Sequence, residues 1–163
     1  MSVCHFHIPA EAARREYAVY LIVARHRQQK RVRFYVGKTG DNREGCNPVI
    51  SRAGNHLSFN PLHAQSRNHL GKPENYDFDF FFTSFGLYVR PSRSRRGIDL
   101  VNEMERRLNF LAQQAFGEIM NPLKLSRYIT RAEKDRRSRL ATPKRMAQLN
   151  ELMITVRRSI QET

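Results

Sequence analysis

Two tyrosines, Tyr20 and Tyr35, lie in stretches whose residue types could do chemistry on a phosphate. Ala-Val-Tyr ends at Tyr20 and Tyr-Val-Gly begins at Tyr35, and β-branched and aromatic residues surround both. Such stretches, separated by a polar and basic break, predict a β-hairpin. Because side chains alternate between the faces of a strand, Tyr35 is expected to share a face with Arg33 and Gly37. If Tyr20 lies on that face too, two phenols stand side by side near an arginine, which suits phosphodiester cleavage.

Arg52 and His56 form a second pair of side chains that could act on a phosphate. They are four residues apart in a predicted helix that begins at Asn47-Pro48, since asparagine is a favoured N-cap and proline suits the first helical position. This spacing puts both side chains on one helical surface, where they flank one edge of a short apolar stripe. Alone, such a pair is typical of a solvated surface. Beside the tyrosine strands, a role in the chemistry is the better interpretation.

Glu105 is the acid best placed to join them. It lies in the longest predicted helix, from Ile98 to about Phe116, whose apolar residues recur every three or four positions. The periodicity places Glu105 at the margin of the apolar stripe, towards the sheet, and Glu103 nearly opposite, towards water. A carboxylate at the edge of a core needs a partner, and a divalent cation or an arginine would serve. The alternative is an ion pair with Arg52 or another neighbour.

The charge of the chain indicates its partner. The 163 residues include 29 Lys and Arg against 15 Asp and Glu, a net charge of +14. Nucleic acid is the commonest partner of such a surface, with an anionic membrane as the competing one. No apolar run approaches the roughly 20 residues of a membrane span, and the N-terminus lacks the pattern of a secretion signal. With two cysteines, which make no disulfide framework, these features favour the cytoplasm.

The rest of the chain predicts a core strand, two loops and a helical tail. The strand runs from Tyr76 to about Val89. The polar loop 58–75 contains His63 and His69, either of which could reach the chemistry or be an ordinary loop residue. Residues 91–97 form a basic loop. A basic helical segment follows residue 126, and a last helix with an apolar stripe would pack on the domain or on a second subunit.

The collected residues resemble the GIY-YIG nuclease family. The resemblance covers about Tyr17 to Asn121, with an alanine at position 18 in place of the family's usual glycine. The matching residues stand in the family's order: Ala18-Val19-Tyr20, Tyr35-Val36-Gly37 with Lys38-Thr39 behind it, Arg52 and His56, Glu105, and Asn121.

This resemblance implies an α+β fold, a small three-stranded antiparallel sheet flanked by helices, here with a basic helical C-terminal extension. It divides the chain into a lead-in (1–16), a nuclease-like domain (17–125) and the extension (126–163). It also implies metal-dependent hydrolysis of DNA, with Mg²⁺ or Mn²⁺ as the ion, one per site.

The resemblance also implies a role for each residue of the site. Glu105 would bind the ion and Arg52 the phosphate. Tyr20 would position or deprotonate the water, with His56 sharing that task or orienting Tyr20. Tyr35 would hydrogen-bond the phosphate or Tyr20. Further expected residues are those that brace the site and those that contact nucleic acid: Gly37 and Asn121 for the first, and Lys38, Arg95, Arg96, Arg131 and Arg136 for the second.

Two other functions remain open from the sequence. A non-catalytic nucleic-acid-binding module explains the charge but not the position of Glu105. A ribonuclease would use the same residues on RNA. Cleavage of both DNA strands by a protein with one site favours a homodimer.

Overall fold

The computed structural model describes residues 5–41, 47–60, 62, 64–90, 94–122 and 127–162. Within these ranges it contains a three-stranded antiparallel sheet and five α-helices, so the predicted α+β fold class is confirmed. Two short 3₁₀ turns cover Ala10–Ala13 and Pro73–Asn75. The other elements are β1 (Glu16–His26), β2 (Val32–Thr39), α1 (Val49–Leu57), α2 (Gln65–Leu70), β3 (Tyr76–Leu87), α3 (Arg95–Phe116), α4 (Arg131–Ser138) and α5 (Pro143–Gln161).

The strand order β2-β1-β3 places β1 at the centre of the sheet. Residues 17–24 of β1 are therefore buried from both faces, which explains their continuous apolar run. The register pairs Tyr20 with Gly37 and Ile22 with Tyr35. Since directly paired residues point to the same face, both tyrosines lie on one side of the sheet.

Helices α3 and α5 cover the opposite face. Val19, Leu21 and Val23 of β1 pack there against two helical stripes, Val101, Met104 and Leu108 from α3 and Leu149, Leu152, Met153 and Val156 from α5. Complete burial of one such side chain contributes about 1.5–3 kcal/mol. The last helix therefore packs on the domain, one of the two placements that its apolar stripe predicts.

The face that carries Tyr20 and Tyr35 holds a smaller cluster. Ile22 and Met120 are buried with the two phenols, and Phe78, Phe80 and Phe82 of β3 pack against them. Helix α1 lies over this face, since His56 contacts both tyrosine rings.

Several predicted boundaries differ from the structure. The prediction of a single loop over 58–75 is wrong in its middle, where α2 forms. Ala64 and Ser66 are buried there, and Gly71 ends the helix with φ 74°. Helix α3 begins before Ile98 because the Ser94 hydroxyl accepts the N–H of Gly97 at 3.0 Å, as an N-cap does.

Candidate functional site

A buried hydrogen bond joins β1 to α1 at the centre of the site. The Oη of Tyr20 lies 2.6 Å from the Nε2 of His56, and the two residues are 1% and 2% exposed. Arg52, one helical turn before His56, also hydrogen-bonds the Tyr20 phenol. The ring of Tyr35 meets the His56 ring edge-on, with 4.6 Å between their centroids. The structure thus brings together four predicted site residues from three elements.

Gly37 makes room for the Tyr20 ring. Gly37 is the cross-strand partner of Tyr20, and a Cβ at this position would lie 2.3 Å from Cζ and 2.4 Å from Oη of that tyrosine. Any side chain at residue 37 therefore collides with the phenol. Residue 37 must therefore be glycine, because the ring of Tyr20 lies over it.

Burial sets the protonation states of the cluster. It raises the pKa of Tyr20, against the Arg52 charge, and raises the pKa of Tyr35 to about 12, where the Glu105 carboxylate adds to the effect. Burial and the neighbouring Arg52 lower the pKa of His56 to about 4. At neutral pH both phenols are therefore protonated and the imidazole is neutral.

These states give the Tyr20–His56 hydrogen bond a direction. Arg52 can only donate, so it occupies one lone pair of the Tyr20 oxygen, and the Tyr20 hydroxyl donates to Nε2 when His56 is the Nδ1–H tautomer. The ring proton of His56 then lies on Nδ1, which is buried and has no protein partner among the described residues. The arrangement is a phenol whose proton already points at a base.

Glu105 lies beside the phenols, held by an ion pair. Its Oε2 is 2.5 Å from the Nζ of Lys38, and that ammonium is also 3.6 Å from Asp41. The negative charge of Glu105 raises the pKa of both Tyr20 and Tyr35, so the carboxylate lies within electrostatic range of the two phenols. Lys38, expected to contact nucleic acid, pairs with Glu105 here.

The oxygen donors of this site suit a hard divalent cation. Mg²⁺ prefers oxygen ligands, keeps several waters, and often takes one or two carboxylates from the protein. Glu105 provides one carboxylate at the position where a positive charge, the Lys38 ammonium, already lies. In the described parts of the chain, no group of three or more His, Cys, Asp and Glu side chains could hold an ion together. A site of this kind would therefore rely on water for most of its ligands.

Asn121 fixes the outer edge of β2 next to Tyr35. Its side-chain amide pairs with Val36 through both the backbone N–H, at 2.9 Å, and the backbone carbonyl. The N–H of Met120 donates to Phe34 at 2.7 Å, and Asn109 of α3 donates to the Asn121 carbonyl at 2.9 Å. These bonds hold β2 to α3, the helix that carries Glu105.

The prediction that Glu103 faces water is wrong. Its carboxylate is fully buried and accepts hydrogen bonds from Arg106 at 2.7 Å, Arg107 at 2.9 Å and the Tyr128 hydroxyl at 2.8 Å. Arg137 of α4 lies 3.8 Å away. The helical spacing of Arg106 and Arg107 from Glu103 can be read from the sequence. Tyr128 and Arg137, which bury the carboxylate, come from a later segment that the periodicity of α3 cannot predict.

The remaining predicted residues lie away from the phenols or on the surface. Arg95, Arg96 and Arg131 are exposed in the first turns of α3 and α4, and Arg136 hydrogen-bonds Asp99 at 2.6 Å. His69 is exposed on α2, in a cleft with Arg33. His63 lies outside the described residues.

Comparisons with protein-family models, curated proteins and solved structures give no match to this chain. None of the described helices has the length and apolar character needed to cross a membrane.

Proposed function

We propose that this protein is a metal-dependent endonuclease that hydrolyses DNA phosphodiester bonds at a site of the GIY-YIG type. The observation that carries the proposal is the buried 2.6 Å hydrogen bond between Tyr20 and His56, with Arg52 on the same phenol. A purely structural contact gains little from burying a phenol and an imidazole against a partly buried guanidinium, because each must be removed from water.

The phenol and the imidazole form a path for a proton. Water that attacks phosphorus must lose a proton as the new P–O bond forms, and the leaving oxygen takes a proton from solvent as the old P–O bond breaks. The Tyr20 oxygen takes that proton while its own passes to Nε2 of His56 along the existing hydrogen bond. The low pKa of His56 opposes this uptake. The negative charge of a phosphate bound at Arg52 would offset the Arg52 charge and favour the protonated imidazole.

Arg52 would hold the phosphate. Its guanidinium offers several donors in one plane, and its Nε is buried without a protein partner in the described chain. A phosphate oxygen would satisfy these donors and receive charge stabilisation as the reaction proceeds. Tyr35, still protonated at neutral pH, donates to the same phosphate.

Glu105 would hold the divalent cation, which supplies charge neutralisation at the phosphate when bound. A cation that takes Oε2 of Glu105 would displace the Lys38 ammonium, which lies 2.5 Å from that oxygen. Released from Glu105, Lys38 becomes free to contact a phosphate of the bound strand.

The charge supports DNA as the substrate. A net charge of +14, with exposed Arg95, Arg96 and Arg131, gives the electrostatic attraction on which DNA affinity depends. A homodimer in the cytoplasm, each copy cutting one strand, completes the proposal.

A second candidate is a non-catalytic nucleic-acid-binding module. The Lys38–Glu105 ion pair favours it, because Glu105 has a partner without any metal ion. A ribonuclease using the same residues is distinguished by adding labelled RNA to the assay below.

The test is nicking of supercoiled plasmid with Mg²⁺ or Mn²⁺. We expect wild-type protein to nick DNA, Glu105→Gln to lose cleavage by at least about 10²-fold while still binding DNA, and Glu118→Gln, an exposed acid, to behave as wild type. Cleavage that persists in Glu105→Gln or in excess chelator rules out the mechanism. DNA binding without any nicking supports the second candidate.

A further inference from the structure

An exposed aromatic ring lies at the end of the helix that carries Arg52 and His56. Phe59 follows His56 by three residues and is 86% exposed. The guanidinium of Arg67, from α2, lies 3.9 Å from the centre of its ring. Arg67 is itself anchored, since its Nε donates to the carbonyl of Leu57, the last residue of α1, at 3.2 Å. The ring is therefore held in place although almost all of it contacts water.

A held and exposed aromatic ring has a free face. Arg67 covers one side of Phe59 as a cation over a ring does, and the high exposed fraction leaves the rest open. A single exposed apolar residue is ordinary on a protein surface. Here, however, a second apolar side chain, Leu62, is also exposed, to 80%, three residues later in the chain.

We propose that Phe59, backed by Arg67, stacks on an unpaired nucleobase of the same strand whose phosphate is held at Arg52. This inference rests on the proposed function and specifies its substrate as DNA with an unpaired or displaced nucleotide beside the cleavage position. Every base has a π-face that an aromatic side chain can stack on, and the guanidinium attracts the adjoining phosphate. The charge of the chain favours such a ligand over an apolar protein surface.

Base stacking within the duplex gives the expected selectivity. In a regular duplex the faces of each base are already stacked on its neighbours, so Phe59 has no base to contact unless one is displaced. A gap, bulge or flap supplies a free base without that cost. The protein should therefore prefer such DNA over a fully paired duplex of the same sequence.

The experiment uses tryptophan as a reporter, because the natural chain contains none. Phe59→Trp is titrated with gapped, bulged and fully paired DNA in chelator, so that no cleavage occurs. Ile154→Trp, 58% exposed on α5 behind the opposite face of the sheet, is the control. We expect gapped and bulged DNA to quench the fluorescence of Phe59→Trp, paired DNA to quench it little, and the control to be insensitive.

Binding of Phe59→Ala and Phe59→Tyr, measured by anisotropy, gives a second readout. Loss of one stacked ring should weaken binding to gapped DNA about 10-fold in Phe59→Ala, with near-normal binding in Phe59→Tyr, which keeps a ring. DNA binding without quenching in Phe59→Trp overturns the proposal, as does equal quenching by paired DNA. A protein that binds no DNA overturns it too. Quenching without nicking in the plasmid assay refutes the nuclease and leaves the stacking site standing.

Discussion

Gly37→Ala should damage both the stability and the chemistry of this protein. The added methyl group would lie 2.3 Å from Cζ of Tyr20, whereas ordinary contacts begin near 3.4 Å, so the ring must move by roughly 1 Å. Tyr20 is buried between the sheet and α1, so it cannot swing into solvent. A move of that size breaks the 2.6 Å hydrogen bond to His56.

The cost follows from these two effects. Overpacking of a buried position costs about 1–3 kcal/mol, and a buried hydrogen bond left unmade adds about 1–3 kcal/mol. We therefore expect the free energy of unfolding to fall by about 2–6 kcal/mol in urea titrations. Cleavage should fall by about 10²-fold in kcat, because the phenol is displaced from the water it activates.

Gly54→Ala is the matched control. Gly54 lies in α1 between Arg52 and His56, and a Cβ there meets no atom within 4 Å. Alanine favours a helix over glycine by about 0.5–1 kcal/mol, so this variant should be slightly more stable and fully active. If Gly37→Ala unfolds within about 0.5 kcal/mol of wild type and cleaves normally, the close packing of Tyr20 over Gly37 has no functional meaning and the reasoning fails.

Three more outcomes follow from the buried groups. His56 has a pKa of about 6.5 in the unfolded chain and about 4 in the folded one, so the unfolded state takes up a proton first as the pH falls. The free energy of unfolding should therefore fall by about 2 kcal/mol from pH 7 to pH 5 because of this residue. In urea unfolding measured against pH, His56→Gln should lack this decrease. Glu103→Gln leaves Arg137 buried beside a neutral amide, so the free energy of unfolding should fall by about 3 kcal/mol in the same assay. Asp77→Asn, which changes an exposed ion pair, should lower it by less than about 0.5 kcal/mol. Asn121→Ala removes both hydrogen bonds to the β2 backbone and should speed amide exchange of residue 36 by at least about 10-fold, measured by NMR.

The elements predicted well are those set by local patterns. Alternation along β1 and β2 predicts two tyrosines on one face, and the register pairs residues 20 and 22 with 37 and 35. The i, i+4 spacing of Arg52 and His56 puts both at the Tyr20 phenol. In these cases the strand period of two residues, or the helix period of 3.6, is enough to predict which face a side chain lies on.

The contacts predicted poorly join distant segments. Lys38 and Glu105 are 67 residues apart, so neither the strand period nor the helix period relates them, although both are expected site residues. Glu103 faces away from the sheet as its helix predicts, but Tyr128 and Arg137 from a later segment close over it. Helix α2 is short and polar, and Ser66 is its one buried residue, so no apolar period marks it in the sequence.

The two outer strands of the sheet differ in what lies beside them. The backbone of β2 is occupied by Met120 and Asn121, which stand where a fourth strand would pair. Beyond β3 the described chain offers no further strand, and the Gln148 side chain reaches only the carbonyl of Ser84 at 3.3 Å. Another polypeptide that extends the sheet, in assembly or in aggregation, would therefore pair with β3 and leave β1 and β2, which carry Tyr20 and Tyr35, undisturbed.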